Sequence, residues 1–337
     1  MHEEGPASSG DDSAAALSSI ATAYRASALL FAAIELDLFS AIPDQGVTSA
    51  LLAEHLEVGE LSLRLLLNSL VALGVLTKEA STFHVHAPFA SLLRQGPTYY
   101  GNHLLFHKEQ SKNWLKMADD LKGRATGPTF YETVIGTERI QYYLDSVERF
   151  NRPYADQLLA HLHPTLTRVR TALDIGGGHG YYAQRLLELN DRATVTILDL
   201  RPTIEYCRAR QRSNPNYSRL ILTAGNALTQ EYADAFDLVM MNDLLHYFAM
   251  SEKLEITRRA TRALHPGGTI AISKFRLDDS AVEPPISAVL SLRVHLNTQK
   301  GFLETDAEAI GLLREVGAHE IRIAALGELK TLITAMR

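Results

Sequence analysis

The sequence predicts an α/β protein in which a mainly helical N-terminal part precedes a doubly wound domain built on a parallel sheet. Three observations predict it. Residues Ala172 to Leu189 read as a short buried strand, a glycine-rich turn and an amphipathic helix. After Pro164, apolar runs of strand length alternate with helical patterns, as they do where crossover helices cover both faces of a sheet. Before residue 98 the pattern is instead three helices followed by two short strands.

With 337 residues, 46% of them hydrophobic and 21% charged, the chain can bury a full core and divide into two domains. Residues 1–12 are polar, with no basic start and no apolar run, which predicts a disordered tail and no signal peptide. No apolar stretch is expected to reach the ~20 residues of a membrane span. Cys207 is the single cysteine, so intramolecular disulfides and thiolate zinc clusters are excluded, and a reducing cytoplasm is the expected location.

In residues 13–98, Ala14 to Phe39 reads as a long helix apolar around much of its circumference, and Pro43 ends that region. Thr48 is placed to cap a second helix carrying Leu51, Leu52 and Leu56. Glu60 to Leu73 is a third, with Leu61, Leu65, Leu66, Leu70 and Leu73, and Gly74 terminates it. Val75–Thr77 and Thr82–Val85 complete a winged-helix pattern. DNA binding is disfavoured, because the third helix offers a groove only Arg64 as a cation and the chain carries a net charge of −6. The apolar first helix points to a subunit interface instead.

Residues 99–163 read as connecting helices that line a substrate pocket. Tyr99 to Leu121 places His103 and His107 one turn apart, without the carboxylate of a zincin-type site. A turn over Gly123 to Pro128 leads to two helical stretches between Phe130 and Ala160. Within them, Arg149-Phe150-Asn151-Arg152 precedes Pro153, and guanidinium forks there could clamp a carboxylate. Tyr100, His107 and Phe150 are candidates for the pocket wall.

Residues 164–337 read as the doubly wound domain. Its strands are expected at 172–175, 194–198, 219–222, 237–241 and 269–273, with a hairpin-like pair at 320–325 and 330–336, and a helix at 251–264. Asp199, at the end of the second strand, stands where a carboxylate would accept both hydroxyls of a ribose.

The spacing of Leu173-Asp-Ile-Gly-Gly-Gly-His-Gly180, Asp199, Gly225-Asn226, Asn242-Asp-Leu-Leu-His246 and Leu264-His-Pro-Gly-Gly268 resembles that of class I S-adenosylmethionine-dependent methyltransferases. With the winged-helix part in front, the chain resembles the plant-type O-methyltransferase superfamily and its bacterial secondary-metabolism members. That resemblance implies a Rossmann-like seven-stranded sheet ending in an antiparallel strand pair, and an intertwined homodimer. It implies that Asp174, Gly176, Gly178 and Gly180 surround the methionine and ribose parts of S-adenosylmethionine. Asp199 with Leu200 would take the ribose, Gly225 and Asn226 the adenine, and Asn242 would adjoin them. Asn226 departs from the Asp common at its position.

The family's His-Asp-Trp triplet is here His246-Tyr247-Phe248, which keeps the histidine in register. Asp243 precedes it by one turn, and His295 lies in a segment that the family folds over its substrate pocket. This set is similar to that of bacterial 2-oxo acid C-methyltransferases, in which a metal chelated by the substrate assists methylation. The resemblance therefore implies His246 and His295 as catalytic residues and as ligands of a divalent metal, zinc or iron; a relative with a third carboxylate ligand would carry it directly after the first histidine, where Tyr247 stands, so Asp243 would have to assist. Arg149, Arg152 or Arg293 would meet the carboxylate of an α-keto acid such as 2-ketoarginine, ketoleucine or phenylpyruvate, methylated at carbon-3. The alternative is metal-independent O-methylation of a phenolic or hydroxylated natural product, with His246 as general base. A third reading is a regulator that binds the cofactor as a signal. No nucleic acid and no membrane is expected as a partner.

Overall fold

The computed structural model describes residues 9–96, 98–123, 134–135, 139–232 and 236–337. Two compact units part between Lys116 and Met117, so the first of the expected connecting helices clusters with the N-terminal unit. The expected tail lies outside the described residues up to residue 8, and helix begins at Ser9.

The N-terminal unit contains helices Ser9–Thr22 (α1), Tyr24–Glu35 (α2), Leu38–Ala41 (α3), Ser49–His55 (α4), Glu60–Ala72 (α5), Ala87–Leu93 (α6) and Gly101–Trp114 (α7). Strands Val47–Thr48 (β1), Leu76–Glu79 (β2) and Thr82–Val85 (β3) form a small antiparallel sheet in the order β1-β3-β2. Thr48 caps α4 by accepting from Leu51 N, and Gly74 ends α5 in the left-handed region at φ 71°. The core takes Leu63, Leu67 and Leu70 from α5 and Leu52 and Ala53 from α4. Leu51, Leu61, Leu65 and Leu73, expected to face inward, are exposed, as are Leu17, Ile20 and Tyr24 of the first two helices. A helix seals a core with one stripe, and these helices carry two.

One expectation about this region is corrected. Asp12–Glu35 is long and apolar enough to cross a membrane by length and composition, with mean hydropathy 1.4 and 11% of the window buried. Its alanines and serines interrupt the apolar run, and that disguised the segment's overall hydropathy.

The second unit adds helices Met117–Leu121 (α8), Ile140–Leu166 (α9), Tyr181–Leu189 (α10), Arg201–Gln211 (α11), Met250–Arg262 (α12), Pro285–Thr298 (α13) and Asp306–Glu315 (α14). Its strands are Thr171–Ile175 (β4), Thr194–Asp199 (β5), Leu220–Ala224 (β6), Phe236–Asn242 (β7), Leu264–Phe275 (β8), His319–Leu326 (β9) and Lys330–Met336 (β10). They form one seven-stranded sheet in the order β6-β5-β4-β7-β8-β10-β9, with β10 antiparallel to both of its neighbours. The expected turn at 123–128 and the start of the stretch from Phe130 lie largely outside the described residues. From Ile140 the helix runs unbroken through Pro153 to Leu166. Nine buried side chains along α9 supply packing that outweighs the lost hydrogen bond.

Register positions the site. Ile175 pairs with Leu198 on one side and Met241 on the other, Asp199 pairs with Ala224, and Asn242 pairs with Ser273. Gly176, Asp199, Gly225 and Asn242 therefore reach the carboxyl edge of the sheet together. Chain order reverses there, between β4 and β7, and an open α/β sheet has its ligand crevice at such a switch point.

Candidate active site

After β4 the chain turns through Gly176, Gly177 and Gly178 and enters α10 at Gly180. Gly176 lies at φ 73°, and a Cβ there would stand 2.6 Å from Leu244 Cδ1. At Gly177 a Cβ would meet Asp174 Oδ2 and Ile197 Cγ2, both at 2.8 Å. The turn admits no side chain where it crosses the sheet edge. Gly178 N donates to Asp199 Oδ2 at 2.9 Å and Leu200 N donates to Asp199 Oδ1 at 2.7 Å. Burial raises the Asp199 pKa, and these two N–H groups act against that by stabilising the charged form.

Gly176, Asp199, Leu200, Gly225 and Asn226 line one cleft of about 340 Å³. Five residues not assigned to the cofactor complete it with others: Leu244, Tyr247, Phe248, Thr298 and Lys300. Asn226 Oδ1 is held by Leu228 N at 2.9 Å, which fixes the turn after β6. Behind the glycine turn, Asp174 is fully buried and receives Asn242 Nδ2 at 3.3 Å. Burial pushes the Asp174 carboxyl up to about 7, helped by the charge of Asp199. Among the described residues, Asp174 Oδ2, Asn242 Oδ1 and Ser273 Oγ have no hydrogen-bond partner. Unmet buried acceptors are costly, and the ammonium of an amino acid is a ligand that satisfies them. A cleft with a ribose-accepting carboxylate, backed by orphaned acceptors, fits S-adenosylmethionine.

His246 follows β7 on a 3₁₀ turn, Leu245–Tyr247, and is 6% exposed. Its ring lies 4.2 Å from that of Tyr247 and 5.9 Å, edge on, from Phe275. Burial lowers its pKa to about 4, so the imidazole is neutral and able to accept a proton at neutral pH. The Tyr247 hydroxyl is 2.5 Å from that of Tyr143 on α9.

The expected metal set is not assembled. Asp243, at φ 53°, pairs through Oδ2 with Lys330, which also donates to Asn151 Oδ1. Lys330 is fully buried, with Phe150, Tyr154 and Phe275 rings 5.0–5.3 Å from Nζ. Asp243 thus balances a buried cation through Oδ2. His295 is exposed on α13, with Nδ1 3.3 Å from the Gly301 carbonyl oxygen, whereas His246 is buried. Among the described residues no three His, Cys, Asp or Glu side chains gather to hold a metal ion. These residues do not fit a zinc or iron site.

Other expected substrate residues fall in different places. Arg152 is exposed and bound to Glu148 at 2.6 Å, and Arg210 shares that carboxylate at 3.1 Å. The guanidinium of Arg152 is thus already engaged by a buried carboxylate. Phe150 stacks on Phe275 at 5.9 Å in the sleeve around Lys330. Arg149 is half-buried on α9, and Arg293 is half-buried on α13. Tyr100 and His107 belong to the N-terminal unit, where Tyr100 stacks on His103 at 4.3 Å and the two histidine Nε2 atoms are 3.1 Å apart. Cys207 is buried against Gly180, and its thiol is pushed up to about 12 by burial, which makes it inert.

Comparison with known proteins agrees with this geometry. A methyltransferase-domain model matches residues 173–270, and an O-methyltransferase dimerisation-domain model matches residues 18–96. The tetracenomycin polyketide synthesis 8-O-methyl transferase TcmO of Streptomyces glaucescens is 25% identical over 92% of this chain and 93% of its own. The 3-hydroxy-5-methyl-1-naphthoate 3-O-methyltransferase of Streptomyces sahachiroi is 26% identical over 91% and 90%. The structure of an O-methyltransferase family protein from Burkholderia thailandensis superposes with a TM-score of 0.88 at 29% identity, covering 98% of this chain and 99% of that one.

Proposed function

Because the chain belongs to the S-adenosylmethionine-dependent O-methyltransferase family with an N-terminal dimerisation domain, we propose that it methylates a hydroxyl of an aromatic secondary metabolite, with His246 as general base. One observation carries the reading: a buried, neutral imidazole is joined through the backbone to Tyr247, a wall of the cofactor cleft. When bound, S-adenosylmethionine supplies a methyl group activated by its sulfonium. Asp199 would hold the ribose hydroxyls, and Asp174 and Asn242 would accept from the ammonium. His246 takes the proton of the acceptor hydroxyl, which turns a weak oxygen nucleophile into a strong one. Orientation of that oxygen supplies much of the remaining rate.

The 2-oxo acid reading depends on a metal to stabilise an enolate, and the donor set does not favour one. O-transfer needs only the base. The exposed stripe of Leu17, Ile20, Tyr24, Leu61 and Leu65 supports a homodimer through the N-terminal unit.

The test offers hydroxynaphthalene acceptors and phenylpyruvate to the purified protein with S-adenosylmethionine, with and without a chelator. A methyl ether formed equally well in chelator, and lost in His246→Gln, is expected. Chelator-sensitive methylation at carbon-3 of phenylpyruvate, with no ether, refutes the reading.

A further inference from the structure

Arg293 is a cation that the reaction described above does not use. It is half-buried on α13, the helix that packs on the 3₁₀ turn carrying His246 and Tyr247 and whose last residue, Thr298, lines the cofactor cleft. Among the described residues it makes no ion pair and no hydrogen bond. On α9 and α11, by contrast, Arg152 and Arg210 share Glu148. Burial pulls the Arg293 pKa down, and the groups that favour its charge are two neutral phenols, Tyr143 and Tyr247. Those phenols are bonded to each other at 2.5 Å, and Tyr143 also lies within electrostatic reach of Asp199 and Asp243. Arg293, Tyr143 and Tyr247 thus form one group beside the turn that carries His246, and Tyr247 reaches the wall of the cleft.

A guanidinium withdrawn from water without a carboxylate is a standing cost. The cost is removed by a ligand that brings the anion, and a planar five-donor fork favours a carboxylate. We propose that Arg293 selects a methyl acceptor bearing a carboxylate beside its hydroxylated ring, so that the substrates are hydroxyaryl acids and not neutral phenols. This rests on the O-methyltransferase reading for the reacting hydroxyl, but recognition of the acid requires neither turnover nor a metal. His246 and Arg293 then divide the acceptor between them: the imidazole faces the hydroxyl, and the guanidinium anchors the acid. An anchored acid also restricts which hydroxyl of a polyhydroxylated ring reaches the base.

The test is calorimetric binding of 3-hydroxy-2-naphthoate and its carboxamide to the full chain with S-adenosylhomocysteine present. The acid is expected to bind at least tenfold more tightly than the amide. Arg293→Gln should erase that preference while keeping the affinity for S-adenosylhomocysteine, and Arg293→Lys should retain part of it. Equal binding of acid and amide to the wild-type chain overturns the proposal, as does failure of the acid to bind, or equal weakening of both probes in Arg293→Gln. The wild-type comparison stands even where a variant fails to fold. Turnover separates the two readings. An acid that binds selectively but yields no methyl ether sinks the O-methyltransferase reading alone, whereas ethers formed equally fast from acid and amide sink this one alone.

Discussion

Replacing His246 by glutamine changes stability and rate through one property, the displacement of its pKa from 6.5 to about 4 by burial. The native imidazole stays neutral across that window, whereas the unfolded chain takes up a proton. Stability is therefore fully present above about pH 6.5 and is lost as pH falls toward 4. At about 1.36 kcal/mol per pH unit the full interval amounts to roughly 3 kcal/mol, of which about 2 kcal/mol falls between pH 7 and pH 5. His179, 3% exposed and also lowered to about 4 by burial, adds a similar loss. Asp174 acts in the opposite sense, since its carboxyl is raised to about 7 and binds a proton in the native state first. The informative quantity is accordingly the difference between wild type and His246→Gln, in which the other groups cancel. Urea unfolding at pH 7 and pH 5 should show the variant gaining about 2 kcal/mol on the wild type over that interval. Its kcat should fall by about 10²–10⁴ with the affinity for S-adenosylhomocysteine unchanged, and the wild-type acid limb should lie near pH 4. Parallel stability differences at the two pH values, or a variant that keeps its kcat, would refute the reasoning.

Removing the buried cation in Lys330→Met leaves Asp243 without its partner and should cost about 3–5 kcal/mol, read by thermal or urea unfolding. Lys330→Met combined with Asp243→Asn should recover much of that loss. Asp199→Ala strips the acceptor from Gly178 N and Leu200 N as well as from the ribose; its S-adenosylhomocysteine affinity should fall about 10–100-fold by calorimetry. Gly176→Ala forces a side chain into φ 73° against Leu244 and should cost at least ~1–2 kcal/mol in unfolding, with weaker cofactor binding.

Much of the donor side was legible from local signals. Gly176 to Gly180 and Asp199 are set by turn conformation and strand ends, features that repeat wherever a chain crosses a sheet edge. Gly225 followed from the same pattern, and the parallel register then brought all three regions to one edge. The acceptor side was less legible. Tyr143 and Tyr247 stand 104 residues apart and meet only because the fold brings α9 to the 3₁₀ turn that follows β7. Sequence reading placed Asp243 beside His246 as a ligand, since the two are one turn apart. Its carboxylate is turned instead toward Lys330, which arrives from the other end of the domain.

What the sequence determined by itself was the class of fold, the glycine-rich turn at the sheet edge and a histidine held after the fourth parallel strand. Periodicity, glycines at positive φ and the spacing of a motif are properties of neighbours along the chain, and they survive without tertiary information. Only the tertiary structure decided which charges are paired. It gave Asp243 to Lys330 and Arg152 to Glu148, set a buried His246 apart from an exposed His295, and left Arg293 without an anion among the described residues. Pairing depends on which side chains share a low-dielectric space, and that is settled by helix packing and strand order across scores of residues. The same limit explains α5, whose two leucine stripes look alike in sequence although one fills the core and the other remains exposed for a partner.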